Sequence, residues 1–250
     1  MASQGRKKTR ARTATPPAAA YVDATREPLY CLLVLFPLIA VYEFGAMMLR
    51  PMTLPERLLL APSFIEDAIA WLGATGSWVS GVLLLGTLVF WHILLKKSWQ
   101  VRAWIPVAMI GESIVLTLPL FVLARLLLVA QGPAEPATWS DPVKIGIVMS
   151  LGAGIYEEFL FRLLLIGGLV SILVDAAKIP RRPALILAAG AASFIFAACH
   201  FQPIAAEPFD AARFALRALG GAYLSLLYLT RGLGICAACH AAFNVGTILM

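Results

Sequence analysis

Apolar runs long enough to cross a bilayer recur along this chain, separated by short polar or basic stretches. They fall at Cys31–Leu49, Ser77–Leu95, Trp104–Ala130, Ile145–Val174, Ala184–Cys199, Ala212–Leu229 and Leu233–Met250. A backbone inside hydrocarbon must satisfy its own hydrogen bonds, so these runs predict helices. The expected fold is an all-α polytopic membrane bundle of about seven transmembrane helices. One further segment, Pro55–Leu72, interleaves Glu56, Arg57, Glu66 and Asp67 with Leu, Ile and Trp, which suits an interfacial amphipathic helix. Residues 1–28, rich in Ala, Thr, Pro and basic side chains, carry too little apolar surface to fold alone. A disordered basic tail is therefore expected to precede a single transmembrane domain over residues 29–250.

Composition agrees with that pattern and excludes an ordinary soluble domain. Of the 250 residues 60% are hydrophobic and only 14% charged, with a mean hydropathy of +0.84. The net charge of +6 does not mark a nucleic-acid surface, because the basic residues lie in the tail and short loops. They orient the chain instead. Arg6, Lys7, Lys8, Arg10 and Arg12, then Lys96, Lys97 and Arg102, then Lys178, Arg181 and Arg182 all fall on one side of the predicted membrane. The other side carries Glu135, Asp141, Glu207 and Asp210. The N-terminus is thus expected in the cytoplasm and the C-terminus outside it, in a bacterial plasma membrane; Arg50, Arg213 and Arg217 run against that assignment. Cys31, Cys199, Cys236 and Cys239 lie in apolar runs, where free cysteines behave as small hydrophobes.

Against this background Glu157, Glu158 and Arg162 stand out, since charge at bilayer depth is costly and persists where it pairs, lines a wet cavity or reacts. Glu158 and Arg162 are four apart on one helix face, acid first, so they can neutralise each other. Glu157 is rotated by about 100° from Glu158 and escapes that pairing. His200 follows Phe196 by four residues at the end of the fifth run, and His240 and Asn244 share a face of the last. A carboxylate, two imidazoles and an amide from three helices provide a general base, an orienting or protonating partner and oxyanion donors. Water-driven amide cleavage requires that set. Glu43 and Glu112 are read as lining the same cavity or pairing with Arg125.

The three motifs Glu157-Glu158-x-x-x-Arg162, Phe196-x-x-x-His200 and His240-x-x-x-Asn244, in that order, resemble those of the CPBP family of CAAX prenyl proteases and bacteriocin-processing or Abi proteins. The resemblance lies within residues 144–250 and implies an intramembrane endopeptidase acting on a membrane-associated peptide, prenylated or bacteriocin-like. It assigns Glu157 to water activation. It gives His200, His240 and Asn244 the oxyanion or substrate-positioning roles, and Glu158, Arg162 and Phe196 supporting ones. The resemblance leaves metal use open; a divalent ion such as zinc would be held by Glu157, His200 and His240. A proton-coupled transporter would use the same groups as a relay, but it predicts matching halves that this chain lacks. A catalytically silent immunity or scaffold member would keep the fold alone.

Depth raises one conflict. At ~1.5 Å per residue, His200 lies about 25 Å from Ala184, whereas His240 lies about 10 Å from Leu233 on the same predicted side. Either a helix end is misplaced or the last helix begins deep.

Overall fold

The computed structural model describes residues 17–49, 60–70, 78–128, 141–205 and 207–250. These residues are helical throughout apart from short connections and one isolated bridge between Phe201 and Glu207. The helices are α1 (Pro17–Thr25), α2 (Pro28–Leu49), α3 (Leu60–Ala70), α4 (Val79–Leu94), α5 (Trp104–Val115), α6 (Leu118–Leu128), α7 (Asp141–Glu158), α8 (Gly167–Ser171), α9 (Arg181–Ala198), α10 (Ala211–Arg231) and α11 (Leu233–Leu249). Among the described residues four stretches are long and apolar enough to cross a membrane: Pro28–Met48, Trp104–Leu127, Val143–Ala176 and Arg181–Ala198. Val79–Leu94 and Leu233–Leu249 are shorter apolar helices.

Two of the expected spans are not simple α-helices. The third bends at Leu116–Thr117, between α5 and α6. Pro119 explains the break, because its ring excludes the carbonyl four residues back and it donates no N–H. The fourth continues without a gap from α7 through a π-helical turn, Phe159–Ile166, then α8 and a second π-helical turn, Ile172–Ala176. Such wide turns concentrate at functional sites. Here the first one directly follows Glu158 and carries Arg162.

α11 is the centre of the bundle. It packs on α7, α5, α2 and α10, and its first nine residues, Leu233–Ala241, are all buried. Large apolar side chains such as Phe36, Phe44, Leu126, Ile186 and Phe194 are exposed around the outside, where lipid would cover them. Close approach of α7 to α11 depends on Gly154, where a Cβ would meet the Ala241 backbone. Gly154→Ala is expected to cost ~1–3 kcal/mol through overpacking. Gly190→Ala, at a position with nothing within 4 Å, should be neutral or slightly stabilising. Unfolding midpoints in detergent micelles compare the two, and equal midpoints would remove the packing role of Gly154.

The expected disorder of residues 1–28 needs correction over its second half. Residues 1–16 lie outside the described residues, but α1 is a helix docked on α5 and α10. The sequence hides this because the docking is polar and aromatic. Tyr21 stacks on Trp104 at 5.7 Å and donates to Glu112 at 2.7 Å, while Arg26 donates to the Thr230 carbonyl at 3.0 Å. Glu112 also accepts from Arg231 at 2.8 Å, so its ionic partner is Arg231, not Arg125. Glu43 likewise accepts from the Tyr156 hydroxyl at 2.6 Å. Of the expected interfacial segment Pro55–Leu72, residues 60–70 are described; α3 buries Ala61 and Ile65 and exposes Phe64.

Helix placement also resolves the depth conflict. α10 turns into α11 at Gly232, whose φ of +88° suits glycine and whose missing Cβ leaves room for Thr25 and Arg26. The last helix therefore begins inside the protein, against α1. A histidine early in α11 and one just past the end of α9 can then reach the same carboxylate.

Candidate active site

Glu157 is the last residue but one of α7, and only 9% of its surface is exposed. Its carboxylate accepts no hydrogen bond from a described residue. His200 Nε2 stands 3.9 Å from one carboxylate oxygen and His240 Nε2 4.0 Å from the other. The neighbouring acid is the opposite case. Glu158 is fully buried, forms an ion pair with Arg162 Nη1 at 2.8 Å, and accepts from His240 Nδ1 at 2.7 Å and from the Cys236 thiol at 3.0 Å. The division between a paired and an unpaired glutamate follows from their one-residue offset on the helix, which sends the two side chains to different faces.

Hydrogen bonding fixes how the imidazoles face the site. His200 Nδ1 lies 2.7 Å from the Phe196 carbonyl, which can only accept, so this nitrogen carries the proton. His240 Nδ1 donates to ionised Glu158 in the same way. In the neutral rings both Nε2 atoms are then acceptors, turned toward an acceptor carboxylate. Three acceptors around one space call for a proton-rich guest such as water. Phe196 underlies the group: its ring meets His200 at 4.9 Å, His240 at 5.9 Å and Phe161 at 5.3 Å, and the Arg162 guanidinium lies 4.6 Å above it. Arg162 also donates to the Gly221 carbonyl at 3.2 Å, tying α10 to the ion pair.

A cavity of about 440 Å³ holds these groups together. Glu157, His200, His240 and Asn244 all line it, with Arg213 and Arg217 from the start of α10. The Asn244 side-chain amide makes no hydrogen bond to a described residue. The structure thus brings Glu157, His200, His240 and Asn244 to one chamber and places Glu158 and Arg162 behind it. Residues 139–246 match the family model "Type II CAAX prenyl endopeptidase Rce1-like". This region is similar to the Rce1-like family. The match carries the CPBP resemblance read from the three motifs, and it spans every residue of the chamber contributed by α7 to α11 except Thr247. An Rce1-like match in an apolar helical chain supports a protease-type enzyme of the membrane. No curated protein and no solved structure matches the chain.

Within this Rce1-like region the donor atoms suit a divalent ion by type, since each imidazole uses Nδ1 elsewhere and leaves Nε2 available. Their placement does not. Among the described residues no group of three His, Cys, Asp or Glu side chains is arranged to hold a metal ion. Two contributors escaped sequence reasoning. Cys236 lies one helical turn before His240 on the same face, and both engage Glu158. That spacing was visible; its target was not. Arg217, four residues after Arg213, counted only as an orientation signal, yet it lines the chamber.

Proposed function

We propose that the chain is an intramembrane endopeptidase that hydrolyses a peptide bond of a membrane-associated substrate, with Glu157 activating the water. The observation that carries this reading is the unbonded Glu157 carboxylate facing two imidazole Nε2 atoms in a chamber that also contains the Asn244 amide. A water seated among them gives one proton to Glu157 as it attacks the peptide carbonyl, and an Nε2 atom holds the other. The Asn244 side-chain N–H donates to the oxyanion that forms. Glu157 then passes its proton to the leaving amine. Glu158, held by Arg162 and Cys236, fixes the His240 tautomer, and Phe196 supports both rings. No step runs through a metal.

α4, α10 and α11 complete seven spans with the four long apolar stretches, and α3 lies along the interface. The tail is cytoplasmic, following the basic loops. The family description favours a CAAX-type prenylated peptide as substrate. The test uses the full chain in lipid nanodiscs with a fluorescent farnesyl-cysteine peptide ending in three apolar residues. A new amine terminus, found by mass spectrometry and unaffected by 1,10-phenanthroline, is expected. Zinc-restorable loss under the chelator would place a metal in the mechanism, and proton flux in sealed vesicles without cleavage would favour a transporter.

A further inference from the structure

A second cavity, of about 500 Å³, lies away from the chamber, between α1 and the loop that joins α4 to α5. Its volume falls in the range of ligand sites. The chain leaves α4 at Lys96, where φ is +50°, and Ser98 Oγ accepts from the Gln100 N–H at 3.2 Å, which folds the loop tightly. Ala20, Asp23 and Ala24 line the opposite wall at the spacing of one helix face. Two apolar helices end at this loop, and Trp99, Val101 and Trp104 stand exposed around it, the aromatic pattern of a membrane–water boundary. The cavity therefore opens at the depth of lipid headgroups.

Four charged side chains line this cavity, two of each sign. Glu27 and Lys97 satisfy each other at 3.0 Å. Asp23 and Arg102 remain, one anion and one cation, and neither side chain has an ionic or hydrogen-bond partner among the described residues. Tyr30 adds a third open valence. It is only 5% exposed and its hydroxyl oxygen accepts from the Arg102 backbone N–H at 3.2 Å, yet its own O–H has no acceptor among the described residues. A buried phenol normally finds one. A guest that brings acceptor oxygens to Arg102 and Tyr30 and N–H donors to Asp23 completes all three groups, and a guanidinium suits phosphate best. A purely anionic guest would leave Asp23 facing a like charge. A quaternary ammonium would bring it no N–H.

We infer that this cavity binds the headgroup of a phosphatidylethanolamine from the surrounding bilayer, with Arg102 and the Tyr30 hydroxyl on its phosphate and Asp23 on its ammonium. The end of α1 packs against Gly232, so a lipid that holds α1 also braces the turn from which α11 carries His240 to the chamber. Native mass spectrometry of the full chain in mild detergent, titrated with lipids of matched acyl chains, measures the first lipid bound. Phosphatidylethanolamine should bind about 10-fold more tightly than phosphatidylcholine or phosphatidylglycerol, the size of one charge-assisted hydrogen bond. Asp23→Asn should bring phosphatidylethanolamine and phosphatidylcholine to near equality by weakening only the first. Arg102→Gln should weaken both about 10-fold and leave their ratio unchanged. Tyr30→Phe, which keeps the ring in the core, should also weaken both. Asp23 is exposed, and wild-type unfolding midpoints before lipid is added check that each variant folds.

Equal affinity of the wild-type protein for phosphatidylethanolamine and phosphatidylcholine would overturn the assignment. A parallel loss of both lipids in Asp23→Asn would remove the ammonium contact and with it the proposal. If phosphatidylglycerol binds most tightly and Arg102→Gln abolishes that binding, the cavity serves an anionic headgroup and the zwitterion is rejected. Soluble glycerophosphoethanolamine is the last arm. It should bind far more weakly than the lipid, and equal affinity would assign the cavity to a soluble phosphate ester in place of the bilayer. None of these readings uses peptide cleavage, so their outcome is independent of the role of Glu157.

Discussion

Glu157→Gln is expected to abolish peptide hydrolysis while leaving the fold intact. Glutamine keeps the shape and polarity of the side chain and removes the proton acceptor. A positioned general base contributes about 10²–10⁴-fold, so kcat should fall by at least that range. The fold should tolerate the change because Glu157 accepts no hydrogen bond from a described residue and borders a cavity, where an amide can be solvated. Matched unfolding midpoints in micelles, together with unchanged binding of the farnesyl-cysteine peptide, separate loss of chemistry from loss of structure. Wild-type turnover by the Glu157→Gln protein would eliminate Glu157 as the base. A midpoint lowered in proportion to activity would make it a structural residue.

Most of this division was visible along the helix. Glu158 and Arg162 are four apart, and the pair forms at 2.8 Å with both side chains fully buried. A one-residue offset freed Glu157, and the four-residue spacing of His240 and Asn244 put both on the chamber wall. What escaped was contact between helices, which leaves no periodic trace. Cys236 looked like one more small hydrophobe, and only the crossing of α11 over α7 turns its thiol into a donor to Glu158. α1 was hidden for a related reason: its docking depends on Tyr21, Glu112, Arg231 and Trp104, which lie far apart in the chain. The bend at Leu116–Thr117 was written in Pro119, but hydropathy averages across it.

The largest loss of stability is expected from Arg162→Met. Removing the guanidinium leaves Glu158 as a fully buried carboxylate supported only by His240 and Cys236, and breaking one partner of a buried pair costs about 3–5 kcal/mol. A typical domain holds only about 5–15 kcal/mol in all. Glu158→Gln should also destabilise, because it leaves Arg162 with the Gly221 carbonyl and the Phe196 ring but no counter-charge. Combining the two removes both buried charges, so the double variant should be more stable than Arg162→Met alone, a coupling that unfolding midpoints in micelles measure. Activity should not return with stability. His240 Nδ1 would lose its ionised acceptor, and with it the bond that turns Nε2 toward Glu157. A double variant that regains both stability and hydrolysis would show that the ion pair only holds helices together. Stability recovered without hydrolysis would assign Glu158 the positioning of His240, with Arg162 as the counter-charge that lets a carboxylate be buried there.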